Sequence, residues 1–380
     1  MYLLLLILAL LLGGQPQAGP VRAHKALHKG GIDLATGLYT RENDDLVVQG
    51  SPVLVLRRTY LSGYRVSKQF GIGTTHRGEE YLIGDGEHFQ WAALILARGS
   101  RINFKRVTPG NTILNARYVH EETAGEWHGA ELSWSLISWT LKKRDGSVLV
   151  FQQCGKAKGS ICSIIVSTDP QGQTIRYRRS VTGQLTKMES GDRWIAFDYD
   201  DHGRIEHAYD NNKNDVRYAY DGRGRLERVT NSDGTVRRYT YTDLDELETI
   251  EEPTASITNR WEGGRCVRQV NWYEDSEPYV FEFKYQAEGR KVHRTRITES
   301  SGYWREYAWN ERGVSISETI GHTGSDPAFV MYNRDDISGA VTSMTISCKD
   351  RDGRPLRRST TVRPGEEEML KRAFVQNRCS

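Results

Sequence analysis

The sequence has 380 residues, of which 37% are hydrophobic and 10% aromatic, so it can build a sizeable core and is not that of a disordered chain. Lys and Arg number 52 against 49 Asp and Glu, and the interspersed charges argue against a nucleic-acid partner, since nucleic-acid binders usually cluster positive charge. The content of 37 Gly and 19 Tyr favours strands and turns over helices.

The first predicted element is a secretory signal peptide over residues 1–23. Leu3–Leu12 is an unbroken run of apolar residues, too short to span a bilayer but suited to the hydrophobic region of a signal. Small residues at Ala18 and Ala23 offer two cleavage sites, and the one after Ala23 fits better. We therefore expect a secreted or periplasmic protein that is peripheral to the membrane after cleavage.

Export permits disulfides, and the sequence contains five cysteines, an odd number. Cys154 and Cys162 flank a Gly/Lys loop between two apolar runs that look like strands, so we predict a disulfide across that hairpin. The other three cysteines cannot be paired from the sequence. None of the five has the spacing of a zinc site, and we expect no metal and no cofactor.

Three further segments follow the signal. Residues 24–168 contain short strand-like runs and predict an N-terminal β domain, residues 169–348 are repetitive, and residues 349–380 form a charged tail. Within the tail, Pro364–Phe374 predicts one short helix, because acidic residues open it and basic residues close it, as suits the helix dipole.

The strongest signal is an internal repeat in residues 169–348. It combines a Tyr-Asp pair with a Gly-Arg pair two residues later, and successive copies place Tyr199, Tyr220 and Tyr241 at intervals of 21 residues. The residues that define it are Tyr199, Asp200, Gly203, Arg204, Tyr220, Asp221, Gly224, Arg225 and Tyr241.

One repeat unit predicts two short strands joined by tight turns. Val216 and Tyr218 alternate with polar or small residues, which gives a strand with one apolar face, and Gly224 suits a turn position of positive φ. Leu226 and Val229 are three residues apart, which predicts a bulge or a short strand. A single hairpin cannot bury its face, but stacked hairpins can. We predict a mainly β fold in which stacked hairpins form an open curved sheet or partial shell, with a short C-terminal helix.

Tyr-Asp-x-x-Gly-Arg-Leu at this period resembles the YD repeat of the Rhs family, which also occurs in teneurins and in the C component of insecticidal Tc toxins. Asp45–Pro52 and Arg58-Thr59-Tyr60 are similar to the uncharacterised domain that precedes Rhs repeats. The resemblance covers about residues 30 to 345. It implies a β-sheet wound into a shell that encloses a toxin or supports adhesion.

No catalytic constellation is complete in the sequence. His76 lies near Glu79 and Glu80, and His120 precedes two further Glu residues, but neither group has zincin spacing, and we expect solvated side chains. Asp210–Asp215 has the composition of a calcium loop without its Gly and Glu, so turn capping is the better interpretation. The sequence predicts no enzyme.

Two functions remain open. The first is an exported, non-enzymatic structural or interaction protein, an accessory or truncated shell component of a toxin-delivery or cell-contact system. Its protein partner would be a larger repeat protein, a toxin or an envelope component. The alternative is a carbohydrate- or envelope-binding protein that uses exposed aromatic side chains. The best candidate contact surface is Tyr303, Trp304 and Tyr307, where aromatics occupy both faces of a strand.

Overall fold

The computed structural model describes residues 30–97, 99–154, 161–350 and 352–379. The predicted signal peptide lies outside these residues. Among the described residues strands dominate, accompanied by a 3-10 helix at Arg77–Glu79 and one α-helix, α1, at Glu367–Arg378. The predicted mainly β fold with a short C-terminal helix is therefore confirmed.

The first strands form a separate four-stranded antiparallel sheet, which we call the inner sheet. Its strands, in spatial order, are β1 Ile32–Asp33, β2 Leu38–Val48, β3 Leu54–Leu61 and β6 Thr74–His76. A small hairpin of β4 Ser67–Lys68 and β5 Gly71–Ile72 interrupts it between β3 and β6. Leu54, Leu56, Arg58 and Tyr60 alternate along β3 and are all buried.

Eight consecutive strands then close into a ring. They are β7 Tyr81–Gly84, β8 Trp91–Ile95, β9 Arg101–Arg106, β10 Arg117–Val119, β11 Glu131–Ser135, β12 Ser138–Lys142, β13 Val148–Gln152 and β14 Cys162–Thr168. Each pairs with its neighbour in the chain, and the start of β14 pairs with β7 through Cys162 and Leu82. The interior is filled by apolar side chains such as Phe104, Tyr118 and Phe151.

The sheet leaves the ring through β14 and continues as a long antiparallel strip. The end of β14 pairs with β15 on the edge that its start shares with β7, so the ring passes into a spiral. The strip consists of β15 Thr174–Arg179, β16 Leu185–Ser190, β17 Arg193–Tyr199, β18 Ile205–Asp210, β19 Asp215–Tyr220, β20 Leu226–Asn231, β21 Val236–Tyr241, β22 Leu247–Glu252, β23 Ala255–Glu262, β24 Arg265–Tyr273, β25 Tyr279–Glu288, β26 Lys291–Glu299, β27 Tyr303–Trp309, β28 Ser315–His322, β29 Ala328–Arg334, β30 Val341–Lys349 and β31 Pro355–Thr361.

The strip has an inner face, which carries buried residues such as Tyr218 and Tyr239, and an outer face exposed to solvent. The inner sheet packs against the inner face at β16–β19 and β24. One hydrophobic core therefore runs from the inner sheet through the ring to Trp309. A second cluster lies under α1, between Ile320 and Val362. The predicted bulge is confirmed, because the pairing of β19 with β20 shifts between Ala219 and Tyr220.

Candidate functional site: the repeat ladder and the inner sheet

The acidic residue of each repeat organises its turn. Asp221 Oδ1 accepts hydrogen bonds from the backbone N–H groups of Arg223 and Arg225, both at 2.9 Å. Its Oδ2 accepts a bond from Arg225 Nε at 2.6 Å. Asp200 makes the corresponding bonds with Arg204, at 2.8 Å to the backbone and 2.7 Å to the side chain. A carboxylate at this position thus satisfies turn donors and fixes the following Arg.

The aromatic residue of each repeat bonds to the preceding repeat. The Tyr220 hydroxyl donates to the Ile205 carbonyl at 2.6 Å, and Tyr241 donates to Leu226 at 2.8 Å. In each case the acceptor is the first residue of the preceding return strand. The same contact recurs from Tyr199 to Leu185, Trp261 to Leu247 and Tyr285 to Cys266. These bonds form a ladder along the strip, which we call the repeat ladder.

The repeat arginine completes the ladder. The Arg204 guanidinium lies 4.4 Å from the centre of the Tyr220 ring, and that of Arg225 lies 5.0 Å from the Tyr241 ring. Each arginine therefore joins the carboxylate of its own turn to the aromatic ring of the next repeat. Tyr, Asp and Arg recur together because each supplies one part of the same joint.

The third copy keeps this geometry with other residues. Thr242 replaces the acidic residue, and its hydroxyl accepts bonds from the N–H groups of Leu244 and Glu246, both at 3.3 Å. Asp245 stands at the glycine position with φ of 61°. Its carboxylate lies 3.3 Å from the Arg225 guanidinium. This ion pair offsets part of the free-energy cost of holding a residue other than glycine in the left-handed backbone conformation.

Replacing Gly224 with Val is expected to lower the free energy of unfolding by about 2 kcal/mol, because Gly224 has φ of 81° and a β-branched residue resists that conformation. Chemical denaturation measures the change. Gly222→Val is the matched control, since Gly222 has no positive φ and open space around its Cβ position. Equal losses from the two substitutions would contradict the role of the turn conformation.

A buried ion pair joins the inner sheet to the strip. Arg58 Nε lies 2.8 Å from Asp45 Oδ2, and the two side chains are 3% and 0% exposed. The Tyr218 hydroxyl donates to Asp45 at 3.0 Å, and Arg58 donates to the Tyr239 hydroxyl at 3.1 Å. Two tyrosines of the strip therefore complete the hydrogen bonding of a charge pair carried by the inner sheet.

Tyr60 makes a second joint between these layers. Its hydroxyl donates to the Asp245 carbonyl at 3.2 Å and accepts from the Leu247 N–H at 2.9 Å. In the sequence, Asp45 and Arg58–Tyr60 served only as markers of the family resemblance, and their contact role was not predicted. The signal was available, because Arg58 occupies a core position in the alternation of β3.

The predicted contact surface is divided between the two faces of β27. Trp304 lies on the outer face, half-buried, with the Arg296 guanidinium 4.0 Å from its ring centre, and it covers Gly321 so closely that a Cβ there would overlap the ring. Tyr303 packs against the cluster under α1, and Tyr307 stacks on Trp309 at 5.5 Å. The structure therefore brings Tyr303 and Tyr307 to the inner face and leaves Trp304 apart from them.

The cysteines form two bonded pairs among the described residues. Cys154 is bonded to Cys162 across the β13–β14 hairpin, and Cys348 is bonded to Cys379 at the end of α1. Cys266 is a free thiol inside the core, where burial raises its pKa to about 12 and keeps it protonated. The second pair could not be chosen from the sequence because strand β30 and helix α1 meet only in the folded chain.

The solvated position predicted for His76, Glu79 and His120 is wrong. His76 and His120 are each 1% exposed, and the side chain of Glu79 is 9% exposed. Phe70 anchors this segment at the junction of inner sheet and strip, with its ring centre 5.5 Å from His76 and 4.9 Å from Tyr218. Packing of the β4–β6 segment, which no local pattern indicates, buries His76 and Glu79. His120 is instead buried within the ring, where its Nδ1 lies 2.7 Å from the Asn103 carbonyl oxygen and its ring centre lies 5.9 Å from that of Phe104.

Burial shifts the pKa values of Glu79 and His76 in opposite directions. It raises the pKa of Glu79 to about 7 and lowers that of His76 to about 3. Glu79 Oε1 accepts the Gln69 N–H at 2.9 Å, while Oε2 lies 3.9 Å from His76 Nε2 and has no hydrogen-bond partner among the described residues. At neutral pH the carboxyl is therefore only partly ionised.

Glu79→Gln is expected to stabilise the fold more at pH 8 than at pH 5, with a difference of about 2 kcal/mol. A carboxyl whose folded pKa is raised binds its proton more tightly when folded, so its contribution is lost as the pH rises from its usual value of 4.5 to about 7. Gln keeps the acceptor for Gln69 and removes the titration. Urea denaturation at both pH values measures this, with exposed Glu87→Gln as control; equal effects at pH 5 and pH 8 would refute it.

Other candidate chemistry is limited. Among the described residues, no group of three or more His, Cys, Asp and Glu side chains could hold a metal ion. Asp210 accepts the N–H groups of Asn212 and Asn214 at 2.8 and 3.0 Å, so it caps its turn as predicted. No helix within the described ranges has the length and apolar character needed to cross a membrane.

An open cleft of about 590 Å³ lies between β3, the ring and the first strands of the strip. Its lining includes Val55 and Arg57 of β3, Tyr177 of β15 and Met188 of β16. Its charged groups are of both signs, and Lys143 pairs with Glu126 at 2.8 Å. The cleft therefore presents no surface of a single charge.

Two segments match family models. Residues 29–104, which contain the inner sheet and the start of the ring, match the domain of unknown function DUF6531. Residues 171–252, which contain the first strands of the strip, match the Teneurin YD-shell. No curated protein matches the sequence.

The solved structures that match this chain include the TcdB2-TccC3 crystal structure, with a TM-score of 0.37 and 10% identity over 86% of this chain and 22% of that one. A TcdB2-TccC3-TEV structure has a TM-score of 0.34 and 13% identity, covering 87% of this chain and 20% of that one. A porin-like protein from Bacteroides uniformis has a TM-score of 0.24 and 11% identity, covering 60% and 91%. The chain spans about a fifth of the matched TcdB2-TccC3 chains, at 22% and 20%.

Proposed function

Since this chain is a YD-repeat protein of the Rhs type, we propose that it is an exported, non-enzymatic structural module that supplies sheet to a larger toxin-delivery or cell-contact assembly. The observation that carries the proposal is the repeat ladder. The side chains that mark the repeat, such as Tyr220, Asp221 and Arg225, are engaged in joining one repeat to the next. Residues used in this way supply shell surface rather than reactive groups.

The unpaired edge of the last strand of the strip supports the proposal of a protein partner. β31 pairs with β30 along one edge, and no other strand pairs with β31 within the described ranges. Its residues are mostly exposed. An open edge presents unpaired N–H and C=O groups and is a template for another strand. We place the partner, a larger repeat protein, a toxin or an envelope component, along this edge.

The register of β31 against β30 identifies the backbone groups that point to the open edge. The Val362 N–H donates to the Thr342 carbonyl at 2.9 Å, so Val362 points its backbone groups toward β30. Because the direction alternates along an antiparallel strand, the N–H groups of Arg357, Ser359 and Thr361 point to the open edge. Proline at position 357 would remove one such donor without removing a β30 hydrogen bond.

The test is affinity capture of the tagged full chain from the envelope of its native host, with identification by mass spectrometry. Three forms are compared: wild type, Arg357→Pro and Arg357→Ala, the last of which loses the charge but keeps the N–H. We expect wild type and Arg357→Ala to recover a larger repeat protein, a toxin or an envelope component, and Arg357→Pro to lose it.

Recovery of the same partner by Arg357→Pro would contradict edge pairing, and the absence of any protein partner would contradict the proposal as a whole. In the latter case the carbohydrate-binding alternative takes its place and has its own test. Glycan arrays would then compare wild type with Trp304→Ala, which removes the half-buried outer-face indole beside Arg296.

A further inference from the structure

Exposed apolar residues cluster at one end of the ring. The turns β7–β8, β9–β10 and β11–β12 emerge at this end, where β14 also begins, because neighbouring strands are antiparallel and Leu82 pairs with Cys162 at the closure. The large apolar side chains exposed at this end of the ring form what we call the apolar rim. Its members are Trp91 42%, Val107 56%, Leu114 59%, Leu136 83%, Ile137 79% and Ile161 47% exposed.

The β11–β12 turn is the most prominent part of the rim. Ser135 pairs with Ser138, so Leu136 and Ile137 alone form the tip of this hairpin. Leu136 has φ of 45°, a left-handed conformation that Asn or Gly adopts more readily. Neither folding preference nor solubility explains two large apolar residues at a strained, exposed tip, and such strain is typical of binding segments.

The neighbouring turns are held firmly in place by one buried arginine. Arg106 is 9% exposed, and its guanidinium donates to the carbonyls of Phe89 at 3.1 Å and Thr112 at 2.8 Å. It also donates to Thr108 at 2.9 Å and Pro109 at 3.2 Å. The rim is therefore a preorganised surface whose apolar residues are fixed in position.

The rim has the composition of a lipid interface. Residues 107–116 and 134–138 contain no charged side chain, so their insertion would leave no charge in an apolar medium. Trp91 is exposed at the rim. Trp134 lies at the base of the tip in an edge-to-face contact with Trp139, with 5.2 Å between the ring centres. Tryptophan is enriched where protein surfaces meet the boundary between headgroups and acyl chains.

We propose that the apolar rim inserts into the headgroup–acyl boundary of a lipid bilayer and seats the ring on a membrane surface. The rim is spread over three separate turns and the start of β14, to which a fluid bilayer can conform, whereas a protein groove would have to match each of them. Asp85 and Glu87 precede β8, and Lys156 and Lys158 lie between Cys154 and Cys162 in the sequence, so two acidic and two basic residues balance and give no net attraction to anionic lipid. Zwitterionic lipid is therefore the expected surface. This inference goes beyond the proposed function and does not use the β31 edge.

The experiment is co-sedimentation of the full chain with phosphatidylcholine vesicles, with a second set containing phosphatidylglycerol. Phosphatidylcholine with brominated acyl chains reports insertion by quenching tryptophan fluorescence. The test variant is Leu136→Asn/Ile137→Ser, in which Asn suits the left-handed position. The matched control is Phe329→Ser/Met331→Ser, which removes two exposed apolar residues from the outer face of β29, 40% and 52% exposed. Leu3–Leu12 is present in every form, so its contribution to vesicle binding is common to all.

We expect wild type and the control to bind with quenching, and the rim variant to bind at least about tenfold more weakly, since two apolar side chains no longer leave water. Phosphatidylglycerol should not strengthen binding. Equal binding and quenching by the rim variant, or no binding by any form, would overturn the proposal. Self-association in the absence of lipid that the rim variant abolishes would assign the surface to a second copy of the chain and would also overturn it.

Discussion

Arg58→Met is expected to lower the free energy of unfolding by about 3 kcal/mol, because the buried Asp45 carboxylate loses the arginine that donates two hydrogen bonds to it. Asp45 is 0% exposed, and after the substitution it keeps only the Tyr218 hydroxyl at 3.0 Å and Arg237 at 3.5 Å. The hydrogen bond to the Tyr239 hydroxyl is lost as well. The inner sheet and the strip should therefore loosen together.

Urea denaturation measures this effect, and the adjacent arginine supplies the control. Arg57 pairs with Asp44 at 2.5 Å, but their side chains are 48% and 37% exposed, so Arg57→Met should cost no more than about 1 kcal/mol. The double variant Asp45→Leu/Arg58→Met should recover much of the loss, because it removes both buried charges. Equal costs for Arg57→Met and Arg58→Met would rule out a special role for the buried pair.

Lys371→Met is expected to detach α1 from the strip, at a cost of about 3 kcal/mol. Lys371 Nζ lies 2.6 Å from Glu318 Oε2, and the side chains are 4% and 0% exposed. The Tyr332 hydroxyl donates to the same carboxylate at 2.6 Å, and Arg305 lies 3.3 Å from its other oxygen. These contacts compensate for the burial of Glu318 only while the ammonium group is present.

Hydrogen exchange of α1 and of the strands beneath it measures the detachment, and exposed Arg372→Met is the neighbouring control. The Cys348–Cys379 disulfide still links the end of the helix to β30. The backbone amides of α1 should therefore exchange faster in the variant although the helix stays covalently attached. Unchanged exchange in Lys371→Met would exclude the ion pair as the fastening of α1.

Acid should imitate this substitution. Burial alone would raise the pKa of Glu318, but Lys371, Tyr332 and Arg305 hold it below its usual value of 4.5. A carboxyl with a lowered folded pKa stabilises the fold above its unfolded pKa, and this contribution is lost as the pH falls through the folded value. Protection of α1 should therefore persist near neutral pH and decline in acid below pH 4.5.

Local structure was predictable wherever it depends on residues within a single repeat. The alternation around Tyr218 predicted a strand, Gly224 predicted the turn, and the spacing of Leu226 and Val229 predicted the bulge. Each of these features depends on residues within a few positions of one another. The repeat side chains identified in the sequence are likewise those that form the repeat ladder.

Contacts between distant segments were not predictable. The ring closes through Leu82 and Cys162, and Arg58 bonds to Tyr239 across 181 positions of the chain. The burial of His76 depends on packing of the β4–β6 segment against the strip, which no periodicity encodes. The segment boundaries predicted at residues 168 and 348 stay a prediction, because testing them would require measuring whether the parts of the chain unfold separately.

The inner sheet completes the inner face of the repeat strip, so we expect the two to fold as one unit. Native-state hydrogen exchange of the full chain tests this most directly, by comparing peptides from β3 with peptides from β19–β21 in wild type and Arg58→Met. We predict equal protection of both regions in wild type and an equal loss in both on Arg58→Met. Loss of protection in β3 alone, with the strip unchanged, would contradict the claim and make the inner sheet a separate domain.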